Sequence, residues 1–200
     1  MTDADLALEI LPLSPDRLGD VARLFGQGGD PKWCWCSYYR VRSLDFRTAT
    51  PASNRTVLER AAVETAAEGR APGLVAYSDG EPIGWVSVGP RDDYARLQHS
   101  RVLGPIDDKP VWSIVCFVVS RSVRGQGVAH ALLDAAIEFA REHGATLLEA
   151  YPVDTVNGRV PAAHAFKGTV AMFERAGFEV VERRQANRSS APRPMVRRAV

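Results

Sequence analysis

The chain has 200 residues, 46% of them hydrophobic and 24% charged, and its formal net charge is +1 at pH 7. A chain of this length commonly forms one domain around one substantial core, so we expect a single domain over residues 1–200. The near-neutral charge argues against a general nucleic-acid binder, so we expect no nucleic-acid partner. Any anionic ligand must then be bound by a local feature.

The sequence carries no signal for a membrane, an oxidising compartment or a metal. No run approaches the roughly 20 apolar residues that span a bilayer, and the first residues show no basic start followed by a long apolar stretch. We therefore expect a cytoplasmic protein with no membrane partner. The cysteines, Cys34, Cys36 and Cys116, are spaced neither as a disulfide framework nor as a zinc site, so we also expect no metal.

The first third of the chain predicts a strand and two helices separated by an aromatic segment. Residues 6–11 are typical of a short strand, and a predicted helix, capped by Ser14, keeps its apolar spacing up to Phe25. Residues 32–39, the aromatic segment, are rich in Trp and Tyr. A second helix is predicted from about residue 54 to residue 68.

A β-hairpin is predicted next. Residues 74–77 and 82–88 flank the dipeptide Asp79-Gly80, which supplies the positive φ angles that a hairpin turn needs. Residues 89–91, Gly-Pro-Arg, are predicted to break the second strand.

The second half of the chain predicts a βαβ unit. An almost wholly apolar strand over 111–119, a helix over 128–143 and a strand over 146–151 lie close enough in sequence to make the two strands parallel and the crossover right-handed. The C-terminal part then predicts, in order, a helix at 169–176, a strand from Phe178 and a short strand near Met195. Its arginines fit a solvated surface better than a site for anionic partners. The element order predicts an α+β fold with a mixed sheet.

The segment between the strand and the helix of this unit has the chemistry of an anion site. It reads Arg124, Gly125, Gln126, Gly127, Val128, Ala129. Glycines let a backbone approach a ligand closely, and the first amides of a helix have no internal partners and carry partial positive charge. The segment therefore predicts a phosphate or pyrophosphate site, although the two glycines alone could also just shape a tight turn. A third glycine and a Gly-Lys-Ser/Thr sequence are both lacking, so neither a dinucleotide fingerprint nor a P-loop is present.

In this segment the chain resembles the GNAT superfamily of N-acetyltransferases. The signature of that family is Arg or Gln, two residues, Gly, one residue, then Gly or Ala, and Arg124–Ala129 matches it between the expected strand and helix. Residues 173–178, where a helix ends at a Gly-Phe that opens a strand, match as well. The resemblance runs from about Leu6 to the C-terminus. It implies a mostly antiparallel central sheet with one splayed parallel pair and flanking helices.

The resemblance implies acetyl-CoA as co-substrate, held between the two splayed strands. Its pyrophosphate would meet the amides of Arg124–Ala129, and its pantetheine arm would pair with the backbone of Phe117, Val118 and Val119. The amide of Phe117 or Val118 would then lie near the acyl oxygen, where it could stabilise an oxyanion.

The chain departs from the family at the acid and base positions. Phe173 stands where many members carry an acidic tyrosine, and Ser113 stands where some hold a basic carboxylate, so Ser113 could at most relay a proton through water. We expect Glu149 and Tyr151 to replace them, since they alternate onto one face of the second parallel strand. The alternative is that Glu149 pairs with an arginine at an exposed strand end. Weaker candidates are His164, Asp154 and Cys116, the last more typical of a small core residue.

The acceptor side is expected at the aromatic segment, which in this family overhangs the acceptor cleft. The candidate acceptor-binding residues are Trp33, Trp35, Tyr38 and Tyr39, whose polar tips suit an amphipathic amine. Alternatively, Trp33 and Trp35 fill the core. Residues 91–94 would line the rim of the cleft, or be charged for solubility alone.

These features predict an enzyme that acetylates the primary amine of a small molecule by direct transfer from the thioester. Two alternatives stay open: a catalytically silent acyl-CoA-binding sensor, motivated by the missing tyrosine, and an enzyme that modifies protein N-termini or lysines. A homodimer is compatible with the sequence, which does not define the oligomeric state.

Overall fold

A computed structural model describes residues 6–155, 166–188 and 191–200. These residues form a seven-stranded sheet in the order β1-β2-β3-β4-β5-β7-β6. The strands are β1 (Glu9–Pro12), β2 (Gly73–Ser78), β3 (Glu81–Pro90), β4 (Trp112–Val119), β5 (Leu147–Ala150), β6 (Glu179–Arg184) and β7 (Arg193–Ala199). The β4–β5 pair is parallel and every other neighbouring pair is antiparallel. The predicted α+β fold with a mostly antiparallel sheet and one parallel pair is confirmed.

The helices lie on the two faces of this sheet. They are α1 (Leu18–Gly26), α2 (Pro31–Cys34), α3 (Ser43–Thr48), α4 (Pro51–Ala67), α5 (Ala95–Gln98), α6 (Val128–Glu142) and α7 (Val170–Arg175). One buried cluster packs α6 and α7 on one face, and a second packs α1 and α4 on the other. Gly84 on β3 allows the close approach of α6, because an added Cβ would come within 2.9 Å of Leu132 Cδ1 and 3.0 Å of Val128 Cγ1.

Two helix starts differ from prediction for reasons of local hydrogen bonding. Ser14 does not cap the first helix: its hydroxyl accepts a hydrogen bond from Arg17 Nη1 at 2.9 Å, and a 3-10 turn over Pro15–Arg17 precedes α1. The second long helix begins at Pro51, earlier than predicted. Thr50 and Ser53 form a capping box there, in which each side chain accepts a hydrogen bond from the other residue's backbone amide.

The predicted hairpin is present, with φ angles of 50° at Asp79 and 77° at Gly80. The predicted break at residues 89–91 was wrong by one to two residues, because Gly89 and Pro90 still pair with β4. Proline is tolerated at the end of a strand, where fewer ladder bonds are required. The turn to a 3-10 helix comes at Arg91.

A bulge in β4 changes which side chains reach each face of the sheet. Ser87 pairs with Cys116 and Val88 pairs with Ile114, so Val115 is the extra residue. As a result Val115 and Cys116 both belong to the cluster on the α1 face, while Ile114 belongs to the cluster on the α6 face.

The parallel pair separates at its carboxyl end. β4 and β5 are in register only at Trp112–Leu148, Ser113–Glu149 and Ile114–Ala150, and β5 ends at Ala150. Within the described part of the chain, residues 115–119 of β4 therefore have no strand partner on this side. The splayed opening implied by the family resemblance is present.

Candidate active site

The turn over Arg124–Ala129, here called the cofactor turn, follows β4 after Ser120 and a 3-10 turn over Arg121–Val123. Gly125 and Gly127 have φ angles of 82° and 81°, which L side chains rarely adopt. A Cβ built on either glycine would meet no atom within 4 Å. Backbone conformation therefore requires glycine here, and the space beside both residues is open.

The amides of the cofactor turn are largely free to bind an anion. Gln126 donates to the Val123 carbonyl at 3.4 Å, but no carbonyl of the described residues accepts from the amides of Gly125, Gly127, Val128 or Ala129. These amides stand at the N-terminus of the 15-residue helix α6, which presents partial positive charge. Their arrangement fits a pyrophosphate.

The last three residues of β4 border the opening; they are Phe117, Val118 and Val119. One edge of this segment pairs with β3, in register with Val86, Trp85 and Gly84. The side that faces β5 has no strand partner among the described residues, so an extended chain such as a pantetheine arm could bind to it as an added strand.

Glu149 is fully buried on the opposite face of the sheet from α6. Its exposed fraction is 0%. Leu148 and Ala150 belong to the cluster on the α6 face, so Glu149, which alternates with them along β5, points to the other face. Arg91 Nη1 contacts Oε1, Arg197 Nε donates to Oε2 at 2.8 Å, and Tyr151 Oη donates to Oε1 at 2.6 Å. The expected arginine pairing is found, but at a buried position rather than an exposed strand end.

Tyr151 and Ser113 complete this cluster. Ser113 lies opposite Glu149 in the parallel register, and its Oγ is 3.1 Å from Tyr151 Oη. Arg91 Nη1 also donates to Tyr151 Oη at 2.6 Å. Burial, followed by the negative charge of Glu149, raises the pKa of Tyr151 well above its usual value. The hydroxyl therefore keeps its proton at neutral pH, and the three predicted catalytic residues form one hydrogen-bonded chain.

The arginines of the cluster come from distant parts of the chain. Arg91, predicted at the rim of the cleft, is 6% exposed and also donates to the carbonyls of Leu97 and Leu103. Arg197 lies opposite Glu149 on β7, and a bidentate pair with Asp107, at 2.7 and 3.1 Å, holds it. Two arginines and two carboxylates make the cluster formally neutral. The sequence did not indicate Arg197 as a partner of Glu149, because an arginine in a predicted strand is typical of the solvent-exposed face.

The aromatic segment reaches this cluster through its tyrosines. Tyr39 is 1% exposed and stacks on Tyr151, with ring centroids 6.3 Å apart and planes at 26°. Tyr38 packs edge-on against Tyr39 at 4.9 Å.

The two tryptophans lie farther out. Trp33 is 40% exposed beside Phe46, and Trp35 packs against Phe25 of α1. The structure thus brings Tyr38 and Tyr39, but not Trp33, close to the three predicted catalytic residues.

The weaker candidates have other surroundings. Cys116 is buried with its Sγ 2.9 Å from Cys36 Sγ, Asp154 pairs with Arg183 at 2.5 Å, and His164 lies outside the described residues. Phe173 is buried against Phe117 and Phe178, so this position supplies no hydroxyl.

Comparison with known proteins assigns the family. A model described as the acetyltransferase (GNAT) family matches residues 35–178. The chain belongs to this family. It is therefore an N-acetyltransferase, and it uses acetyl-CoA. A search of curated protein sequences found no match.

Solved structures show the same fold. A GNAT-family acetyltransferase from Streptococcus pneumoniae is 17% identical, with a TM-score of 0.54, and the match covers 97% of this chain and 99% of that chain. The PaiA N-acetyltransferase from Thermoplasma acidophilum, in complex with coenzyme A, is 13% identical, with a TM-score of 0.55 and coverage of 98% and 100%. A ribosomal-protein-alanine N-acetyltransferase from Brucella melitensis is 18% identical, with a TM-score of 0.55 and coverage of 96% and 99%.

The described residues carry neither a candidate membrane span nor a candidate metal site. None of their helices is both long and apolar enough to cross a membrane. No group of three or more His, Cys, Asp or Glu side chains among them could hold a metal ion.

Proposed function

We propose that this enzyme transfers the acetyl group of acetyl-CoA directly to the primary amine of a small molecule. The observation that carries the proposal is the position of the β4–β5 opening. The cofactor turn follows the end of β4 on one side of it, and the chain Ser113–Tyr151–Glu149 lies where the two strands are still paired. A thioester bound along the free side of β4 would have both within reach.

In this proposal main-chain groups hold the co-substrate. The amides of Arg124, Gly125, Gln126, Gly127, Val128 and Ala129 receive the pyrophosphate, and the backbone of Phe117, Val118 and Val119 receives the pantetheine arm. An amide of Phe117 or Val118 stabilises the oxyanion that forms when the amine attacks the thioester carbon. The carbon–sulfur bond then breaks, and the sulfur leaves as a thiolate, which the ordinary thiol pKa near 8.5 allows with little help from an acid.

The amine must lose a proton, because an alkyl amine with a pKa near 10 is almost wholly protonated at neutral pH. We assign Tyr151 as the entry point of that proton and Glu149 as its final acceptor. Tyr151 already donates to Glu149 at 2.6 Å, so it can pass its own proton on while it accepts one from the amine or an intervening water. Ser113 Oγ, 3.1 Å from Tyr151 Oη, positions either that water or the Tyr151 hydroxyl by a hydrogen bond.

The acceptor enters on the side of the aromatic segment. Tyr39 stacks on Tyr151, and Tyr38 covers Tyr39, so a small amine would contact these rings as it reaches the proton path. Trp33 and Trp35 would form the outer part of the same wall.

The test is thiol release from acetyl-CoA with a panel of small primary amines and a panel of peptides with free N-termini or lysines. Turnover of small amines with micromolar to millimolar KM supports the proposal. Turnover of peptides alone would replace it with protein acetylation, and no thiol release with either panel would remove the direct-transfer mechanism.

A further inference from the structure

Lys167 is a buried cation for which the described residues provide no counter-ion. It lies between Phe166 and α7, only 9% of it is exposed, and Nζ lies 5.3 Å from the centroid of the Phe166 ring. Neither a salt bridge nor a hydrogen bond joins Nζ to any residue in the described ranges. Burial of an unpaired ammonium is costly, so this position needs an explanation.

Arg193 brings a second positive charge to the same place. It is the first residue of β7, opposite Arg184 in the β6–β7 register, and no salt bridge joins it to a carboxylate of the described chain. Burial, followed by the charge of Arg193, lowers the pKa of Lys167 to about 8. Lys167 and Arg193, here called the cation pair, are therefore close enough for the charge of Arg193 to disfavour the charge of Lys167.

The cation pair adjoins the aromatic part of the acceptor side. The charge of Arg193 also acts on the phenol of Tyr39, whose buried Oη has no hydrogen-bond partner in the described structure. Phe166, which underlies Lys167, packs against Tyr38 with ring centroids 6.5 Å apart. A buried hydroxyl without a partner beside two cations without counter-ions is the pattern expected where an anionic ligand group completes the hydrogen bonds.

Nearby cations have partners of their own. Arg96 donates to the Tyr38 carbonyl and to Ser43 Oγ, Arg184 donates to the Gly104 carbonyl at 2.9 Å, and Arg183 pairs with Asp154. These three arginines are held by carbonyls, a hydroxyl or a carboxylate, whereas no hydrogen bond or salt bridge within the described residues holds the side chain of Lys167 or Arg193.

We propose that Lys167 and Arg193 bind the carboxylate of the acceptor, which makes the acceptor class an amino carboxylate and not a simple alkyl amine. Tyr39 Oη would complete the hydrogen bonds of this carboxylate. The inference rests on the proposed small-molecule function and narrows it. A carboxylate would neutralise both cations with charge-assisted hydrogen bonds, while the rings of Tyr38 and Phe166 contact the carbon skeleton.

The first arm of the test compares acceptors that differ only in this group. Thiol release is measured with phenylalanine, phenylalaninamide and phenethylamine, and with 4-aminobutyrate against butylamine. We expect the carboxylates to show a kcat/KM roughly tenfold or more above their neutral partners, the usual value of a charge-assisted hydrogen bond. If neutral amines are acetylated as fast as the amino carboxylates, the proposed function stands and this inference fails. If no small amine is acetylated, the proposed function itself fails.

The second arm removes the charges. Lys167→Met and Arg193→Gln should each raise the KM of the carboxylate acceptor about tenfold, with little change in the KM of its neutral partner or of acetyl-CoA. Arg60→Gln is the matched control, because it removes a positive charge from an exposed pair with Glu64 on α4. Equal losses for charged and neutral acceptors would show that the cation pair is structural and would overturn the assignment.

Discussion

In the proposed function, the cofactor turn and the acceptor side would bind their ligands through different parts of the residues. Residues 124–127 of the turn are exposed and offer main-chain amides, whereas Ser113, Tyr151 and Glu149 are buried and offer side chains. A main-chain site tolerates almost any side chain that keeps the backbone conformation. A side-chain site depends on residues from several elements. The comparison predicts that a substitution disrupts cofactor binding when it changes the backbone conformation or fills the space beside the turn. Acceptor chemistry should instead be lost when particular side-chain atoms are removed.

The largest effect is expected from Gly127→Asp, which should abolish acetyl-CoA binding in calorimetry. An aspartate rarely adopts the φ angle of 81° that Gly127 has, so the backbone conformation of the turn would be strained. Its side chain and negative charge would also enter the space assigned to the pyrophosphate. Gly80→Asp is the matched control, since Gly80 has a φ angle of 77° with open space around it and lies in the β2–β3 turn. Unchanged affinity in a folded Gly127→Asp protein would remove the turn from the mechanism.

The next largest effect is expected from Glu149→Gln, which should lower kcat roughly 10²-fold and leave acetyl-CoA affinity nearly intact. Glutamine keeps the shape but cannot accept the amine proton. The activity that remains should rise with pH, because the neutral fraction of an amine with a pKa near 10 grows about tenfold per pH unit. Wild-type kcat at pH 7 would make Glu149 a purely structural anion.

Stability measurements distinguish a structural role for Glu149 from a catalytic one. Without the negative charge of Glu149, Arg91 and Arg197 lose their shared carboxylate partner, and loss of one member of a buried ion pair typically costs about 3–5 kcal/mol. Tyr151→Phe keeps the ring and both ion pairs, so it removes the proton path with much less effect on stability. We expect a milder loss of kcat there. A loss larger than that of Glu149→Gln would place the main proton transfer on Tyr151 alone.

The same contrast explains how much could be predicted from the sequence. The glycine turn at residues 124–129, the hairpin and the βαβ unit depend on residues close together in the chain, and the sequence predicts the presence of each. Binding of a pyrophosphate at the turn stays a prediction. The acceptor side depends on contacts such as Arg91–Glu149 and Arg197–Glu149, which join residues 58 and 48 positions apart. Periodicity placed Glu149 and Tyr151 on one face, but no local pattern shows which arginine completes a buried pair.

Lys167 and Arg193 were missed for a related reason. A lysine after a phenylalanine and an arginine in a basic tail are both typical of solvated surface. Their proposed role follows only from the fold, which packs Phe166 against Tyr38, brings the charge of Arg193 within range of Tyr39, and supplies no carboxylate from the described residues to either cation.

A smaller effect is expected from Tyr39→Phe, which should raise the acceptor KM several-fold while kcat and the acetyl-CoA KM change little. The hydroxyl of Tyr39 is buried without a partner in the described structure, so its removal should not lower the free energy of unfolding. Tyr94→Phe is the control, because the hydroxyl of Tyr94 is equally buried but lies 3.2 Å from Ser87 Oγ. A Tyr39→Phe protein with unchanged acceptor kinetics would exclude this hydroxyl from the acceptor site.

The smallest effect is a change in stability with pH at Lys167. Its pKa is lowered from 10.5 to about 8 in the folded protein, because burial and Arg193 disfavour the charged form. Below pH 8 the folded and unfolded states both carry the proton, so the full cost of the buried charge is present. Between pH 8 and 10.5 the unfolded chain binds more protons than the folded one, and the cost declines as pH rises.

Lys167→Met should therefore increase the free energy of unfolding at pH 7, by about 1–3 kcal/mol, even as it weakens binding of carboxylate acceptors. The gain should shrink as the pH rises from 8 to 10.5, and denaturant unfolding of both proteins across that range measures it. The comparison of the two proteins cancels the titration of all other groups. With a carboxylate acceptor bound, the wild-type protein should become the more stable of the two, because the ligand stabilises only the protein that retains the ammonium group. If the variant is instead less stable at pH 7 without any ligand, Lys167 already has a favourable partner in the free protein, and the proposal that the cation pair binds the acceptor carboxylate fails.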